Sequence, residues 1–210
     1  MIELARADLG YTESPPNSNR TKYGEWYGVN GVPWCVIALW YWFDRAGERM
    51  AFFGGGKTAS CSILLRWYRE QGLTVPVEDV REGDIVLLNF HGKSDPEHCG
   101  LVVEARGRNA YLQTIEGNTT PGIGMEGSQD NGGCVAEKLR SYSQIVAVCR
   151  PQYQPEPVTV DDITGRWSEE DIRWCMEHNI LKGYPDGSFR PTQGVTREEL
   201  AAVIRRLVEM

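Results

Sequence analysis

The chain has 210 residues, room for one ordinary domain plus a small appendage, which excludes a large multidomain machine. Hydrophobic residues at 41% and charged residues at 24% exclude wholesale disorder and a collagen-like fibre. A net charge of −7 without a Lys/Arg cluster argues against a nucleic-acid partner, since displacing counterions from phosphates needs clustered cations.

The first ten residues carry Glu3, Arg6 and Asp8, so they lack the uninterrupted apolar run of a secretion leader; residues 2–9 read as a short amphipathic helix. A second helix is expected over 33–46, with Pro33 in its first turn and Gly47 past its end. Its apolar segment 36–43 is far shorter than the ~20 residues that span a bilayer, and no membrane partner is expected. A third helix spans 60–71, closed by Gly72. After Gly83 the pattern changes to strands at 84–90, 100–105, 110–115 and 143–149, separated by Gly, Asn and Asp turns. Helices followed by an antiparallel sheet make an α+β domain over 1–150. Pro151, Pro155 and Pro157 stiffen a linker at 151–160. In 161–210, Ser168 is placed to cap a helix reaching about Asn179. Thr196 with Glu199 forms a capping box for another helix, and the turn-rich run 183–189 lies between, giving a helix–loop–helix.

Six cysteines contain no Cys-x-x-Cys pair, and a chain kept in the cytosol holds them reduced, so neither a disulfide framework nor a structural zinc site is expected. Cys35 opens a helix after Pro33-Trp34, where the positive end of the helix dipole stabilises a thiolate. Its competing role is a small core residue under 36–43. His98, at the head of the strand Cys99-Gly100-Leu101-Val102, is placed to project toward a groove as a general base. His91 and His178 read as surface or loop histidines. Glu116 and Asn118, two apart on a strand, are expected on one face, where either can orient the imidazole. Cys61, also at a helix start, is the rival nucleophile and reads more readily as a buried thiol.

With these residues in place, the chain resembles the CHAP family, the cysteine- and histidine-dependent amidohydrolases/peptidases of the papain-like, NlpC/P60-type superfamily. The resemblance covers residues 1 to about 150. It rests on an ordered series: Leu9-Gly10-Tyr11-Thr12-Glu13-Ser14-Pro15, the run 17–24, Pro33-Trp34-Cys35, Gly83-Asp84-Ile85-Val86, His98-Cys99-Gly100-Leu101-Val102 and Ile115-Glu116-Gly117-Asn118. It implies a papain-like fold and hydrolysis of bacterial peptidoglycan, with Cys35 as nucleophile, His98 as base, Glu116 as orienter and Asn118 in support. Cys99 departs from the small aliphatic residue common beside that histidine. Some relatives hold calcium before the cysteine, but the 17–24 loop offers Asn17, Asn19 and Thr21 with no carboxylate, so no metal or other cofactor is expected.

The tail resembles one S-layer homology repeat through Asp161-Asp162-Ile163, Trp167, the run 183–191 and Val195-Thr196-Arg197-Glu198-Glu199. Such repeats anchor proteins to secondary wall polysaccharide of Gram-positive-type envelopes, and the resemblance implies Trp167, Gly183, Asp186 and Arg197 as contacts. Arg197 at a helix start would hold a carboxylate. The bland roles are a solvated helix residue for Arg197 and helix-pair core for Trp167 and Phe189. The family usually carries three repeats; a single ~50-residue pair buries little surface, which leaves three alternatives: packing on the catalytic domain, homo-oligomers through the repeat, or weak binding.

These readings combine into a phage-endolysin-type enzyme, most readily an N-acetylmuramoyl-L-alanine amidase, that stays in the host cytoplasm until a pore releases it to the wall. The alternatives are a peptide cross-bridge endopeptidase using the same thiol chemistry, a catalytically silent wall-binding protein, and an acyltransferase in which an amine replaces water.

Overall fold

Backbone placement in the computed structural model is described for residues 1–105, 111–122, 131–153, 161–184 and 187–208. These fall into two units, Met1–Gln154 and Pro155–Met210. The first is a mixed domain of helices and one antiparallel sheet.

Its helices are α1 (Ile2–Ala7), α2 (Lys22–Tyr27), α3 (Cys35–Arg45), α4 (Arg49–Phe53) and α5 (Cys61–Glu70). The strands are β1 (Thr74–Val75), β2 (Ile85–Leu88), β3 (His98–Ala105), β4 (Leu112–Thr119), β5 (Cys134–Arg140) and β6 (Ile145–Cys149). They hydrogen-bond in the order β1-β6-β2-β3-β4-β5, every neighbouring pair antiparallel. The free side of β5 is covered by the N-terminal segment: Gly10 N donates to Val135 O and Val135 N to Tyr11 O. An edge so covered offers no ladder to another chain.

Of the eleven residues of α3, eight are buried, so this helix is apolar nearly all round and lies in the interior. Trp34, Trp40, Trp42 and Phe43 pack there with Tyr23 of α2, whose ring stacks on Trp34 at 5.3 Å. Asp8 joins three helices, accepting from Tyr23 Oη at 2.8 Å and Trp42 Nε1 at 2.9 Å and pairing with Lys22. Period-2 alternation turns Cys99, Leu101 and Val103 toward these helices, while Val102 joins Val86, Leu88, Leu112 and Val148 in a second cluster.

The sequence expectation missed α2, α4, β1 and β5. For β5 the reason is plain: Cys134-Val135-Ala136-Glu137-Lys138-Leu139-Arg140 lacks an apolar alternation, because Lys138 and Arg140 are themselves wholly buried. The expected 143–149 strand begins only at Ile145, after a 3-10 turn over Tyr142–Gln144. The start of the expected 110–115 strand lies outside the described residues.

The boundary also moves. Tyr153 stacks on Phe43 at 5.9 Å and its hydroxyl donates to Gly83 O, and Arg150 binds the buried Asp84 carboxylate at 2.9 and 2.8 Å. The first residues of the expected linker therefore belong to the first unit, and 154–160 lie outside the described residues.

The second unit holds α6 (Glu169–Glu177) and α7 (Arg197–Val208). Its small core is Ile163, Ile172 and Ile180, with Met176 and Phe189 packed against Ile163 and Ile172. The Asp162 carboxylate accepts from Phe189 N at 2.9 Å and Arg190 N at 2.6 Å, pinning the loop to the start of the unit. Thr196 and Glu199 form the expected capping box, at 2.7 and 3.1 Å. Ser168, in contrast, makes no side-chain cap; Glu169 instead accepts from Gly165 N at 2.6 Å.

Candidate active site

Three elements bring the site together. Cys35 is the first residue of α3, and its N-cap is Trp34, which has no side-chain oxygen, so no side chain caps the first-turn N–H groups. Cys61 starts α5, but there Ser60 Oγ accepts from Ile63 N at 3.3 Å and occupies part of that helix end. Cys99, beside His98 on β3, faces the same space. The Cys35 and Cys61 sulfurs are 3.9 Å apart, and the three Sγ atoms lie within 4.8 Å of one another.

His98 Nε2 meets Glu116 Oε2 at 2.9 Å. Both side chains are wholly buried. Glu116 is held in turn by Arg140, whose Nε donates to Oε1 at 2.8 Å and Nη2 to Oε2 at 2.5 Å, and by Thr114 Oγ1 at 2.7 Å. His98 Nδ1 is left without a hydrogen-bond partner among the described atoms and interacts electrostatically with Cys35. The line is thus Arg140, Glu116, His98, Cys35: two cations alternating with two anions when the thiol and imidazole exist as an ion pair.

Two glycines make the geometry possible. A Cβ on Gly100 would sit 2.8 Å from Glu116 Cγ, and one on Gly117 would sit 2.6 Å from Ala38 Cβ and 2.9 Å from the Trp34 ring. Gly100 makes room for the carboxylate beside the histidine strand, and Gly117 lets α3 come down onto β4.

The electrostatics follow from this packing. Hydrogen bonds from the Cys61 and Cys99 thiols hold the Cys35 thiol well below its usual range, with His98 adding to them and burial opposing. Cys61 is pushed up because its thiol donates a hydrogen bond to Cys35, and Cys99 is pushed up chiefly by burial. Burial alone would lower His98, but Glu116 and Cys35 outweigh it and raise the imidazole to about 9. Burial would raise Glu116, yet the Arg140 hydrogen bonds and His98 bring it down to about 2.

The structure brings Cys35, His98 and Glu116 together, with two differences from expectation. His98 does not project into an open groove; it is wholly buried, and Cys35 is only 4% exposed. Asn118 does not share the face of Glu116 by simple alternation. The β4–β5 register shifts between Glu116 and Thr119, Asn118 takes a left-handed φ of 59°, and its Nδ2 donates to Asn131 Oδ1 at 3.1 Å. Arg140 was missed, for a lone arginine in a mixed segment carries no sign of burial, and the convergence of Cys61 and Cys99 on Cys35 is invisible to spacing. His91 pairs with Glu97 at the surface, and His178 stacks on Trp174.

In the second unit, Trp167 is 93% exposed, so it forms no part of the core that its bland role required. Gly183 lines a groove of about 370 Å³ with Tyr184, Phe189, Arg190 and Arg206. Arg197 opens α7, where Thr196 and Glu199 already serve the backbone N–H groups and place a carboxylate at the helix end. Asp186 lies outside the described residues.

Comparison with known proteins decides the nature of this unit, because the S-layer homology domain family matches residues 160–201. Residues 160–201 are an S-layer homology domain. The chain is 40% identical over 53 residues to outer membrane protein SlpA of Deinococcus radiodurans, a match taking in 25% of this chain and 4% of that protein. It is 39% identical over 49 residues to cell surface glycoprotein 1 of Acetivibrio thermocellus (23% and 2%) and 40% identical over 48 residues to the cellulosome-anchoring protein of the same organism (23% and 11%). The chain thus spans a small fraction of the length of these relatives. Among solved structures, the crystal structure of the wild-type endolysin LysIME-EF1 aligns with 73% of this chain and 63% of that one, at a TM-score of 0.45 and 15% identity. The S-layer homology domain associates the chain with a cell wall or surface, and no helix among the described residues is long and apolar enough to cross a membrane.

Proposed function

We propose that the chain is a thiol-dependent peptidoglycan hydrolase, an N-acetylmuramoyl-L-alanine amidase of the CHAP type with a papain-like catalytic domain, held at the wall by its S-layer homology domain. The observation that carries this reading is the buried line from Arg140 through Glu116 and His98 to a thiol at an uncapped helix start. A structural cysteine has no need of an imidazole fixed on its far side by a carboxylate and an arginine.

The chemistry follows from the charges. Cys35 Sγ, as thiolate, attacks the lactyl-amide carbonyl, and the backbone N–H groups at the start of α3 face the developing oxyanion. His98, protonated at Nδ1, gives that proton to the departing amine nitrogen, leaving a thioester on Cys35. Neutral His98 then takes a proton from water, whose oxygen attacks the thioester and releases the acid and the thiolate. Glu116 keeps the ring in one orientation and stabilises the imidazolium in each half. Cys61 and Cys99 stabilise the resting thiolate, and Asn118 supports the β4 bend beside Glu116.

In the second unit, Trp167 offers an exposed indole face to sugar, and Gly183 in the groove and Arg197 at the start of α7, together with Asp186 as the family resemblance implies, complete a polysaccharide contact. The enzyme is made in the host cytoplasm and reaches the wall after a pore opens. Digestion of purified Gram-positive sacculi by the full chain, followed by mass spectrometry of the released muropeptides, tests the reading. It expects peptides with a free N-terminal L-alanine and intact glycan strands. Cross-bridge cleavage would move the assignment to an endopeptidase, amine adducts would show acyl transfer, and no release would leave a wall-binding protein.

A further inference from the structure

The three thiols are more than a nucleophile and two neighbours. Tetrahedral zinc–thiolate bonds of ~2.3 Å place sulfur atoms ~3.8 Å apart. Cys35 and Cys61 are already 3.9 Å apart, and Cys99 lies within 4.8 Å of both, so shifts of under about 1 Å close a three-sulfur face around one ion. The sulfurs arrive from three separate elements, the starts of α3 and α5 and the second residue of β3.

A second observation lies beside the nucleophile of that cluster. His98 Nε2 is committed to Glu116, which fixes a proton on that nitrogen in the neutral ring and leaves a lone pair on the buried Nδ1, which has no hydrogen-bond partner among the described atoms. Three soft sulfurs select a thiophilic divalent ion over calcium or magnesium, whose ligands are oxygen.

We propose that Cys35, Cys61 and Cys99 form a three-sulfur regulatory site for a thiophilic divalent cation such as Zn²⁺. Each thiol that ligates releases its proton to water, so no oxidant or reductant is involved. The dipoles of α3 and α5 offset the negative charge of the thiolates. Because the ion takes the nucleophile, binding switches hydrolysis off, and a chelator restores it. The inhibitory consequence rests on the hydrolase reading above; the metal site itself does not.

The test uses the full chain, reduced and stripped with chelator, and titrates it with Co²⁺ as a spectroscopic probe. One ion per chain with tetrahedral thiolate–Co²⁺ absorption, displaced by Zn²⁺, is expected. Cys61→Ser and Cys99→Ala should each weaken Zn²⁺ displacement at least ~tenfold, as loss of a ligand should exceed the lower end of second-shell effects. Cys175→Ser, in the second unit, should leave the spectrum unchanged. Circular dichroism verifies that the variants are folded, and Cys61, 7% exposed, is the safer of the two substitutions. Absence of thiolate–Co²⁺ bands in the folded, reduced protein overturns the site, as does a signal insensitive to both substitutions or lost in Cys175→Ser. Wall hydrolysis undiminished by Zn²⁺ also overturns it. A chain that binds Co²⁺ as described yet releases no muropeptide keeps the site and overturns the hydrolase reading instead.

Discussion

Replacing Glu116 by glutamine removes one charge from the middle of a fully buried line and changes almost no volume. With only the strand residues in view, the change would be expected to reduce turnover and spare the fold. Arg140 alters that expectation. In the native protein Glu116 answers both the guanidinium and the imidazole, and glutamine takes that charge away from both. The lowering of Glu116 from 4.5 to about 2 corresponds to about 3 kcal/mol of stabilisation of the charged form. That agrees with the ~3–5 kcal/mol typical of breaking one side of a buried ion pair. The expected loss of stability for Glu116→Gln is therefore about 3 kcal/mol, measured by urea unfolding. Turnover should fall ~10³-fold or more, because the ring loses both its tether and the charge that stabilises its protonated form. Adding Arg140→Met should recover part of the stability, since the guanidinium that Glu116 held is then removed as well, without recovering activity. The linkage has a definite sign: a carboxyl lowered in the folded state contributes stability in full above 4.5, lost as pH falls through about 2, so the wild type should lose its margin over Glu116→Gln across that window. Equal stability and activity of wild type and Glu116→Gln would refute the buried line as described.

Cys35→Ala should abolish muropeptide release, whereas Cys61→Ala should keep activity within about tenfold of wild type, losing only a thiol that supports the thiolate; the reverse result would exchange the nucleophile. His98 is raised in the folded protein to about 9, so its contribution is complete below 6.5 and disappears as pH rises through about 9, and the alkaline limb of kcat should fall there; a limb near 6.5 would show that Glu116 does not reach the ring. A chain ending at Gln154 should cleave soluble muropeptides yet lose adsorption to whole walls in a pull-down, and it should be more stable than one ending at Arg150, which lacks the Tyr153 contact with Phe43 and Gly83. Trp167→Ala should weaken wall adsorption with no change in thermal unfolding, since the indole is 93% exposed; unchanged adsorption would remove it from the polysaccharide contact.

Much was legible in the residues themselves. Local signals work where one chain segment settles its own conformation: Pro33 before a helix, the Thr196–Glu199 capping box and the apolar strands after Gly83 all correspond to observed elements, and the ordered tail segments mark the S-layer homology domain. Cys35 and His98 could be singled out because each opens an element of suitable type, and Glu116 because it lies two residues from Asn118 on a strand. Only the tertiary structure decided what stands behind them. Arg140 and Lys138 look solvent-facing in sequence, and packing against β4 and the segment after it buries both. Asn118 looks co-facial with Glu116, and one extra residue in the ladder sends it to Asn131. Cys61 and Cys99 stand 26 and 64 positions after Cys35, with no motif spacing, yet three elements bring their sulfurs together. Hydrogen bonding between neighbours in the chain fixes the elements. The charge on a buried side chain depends on which distant groups share its low-dielectric surroundings, and that is set only when the elements pack.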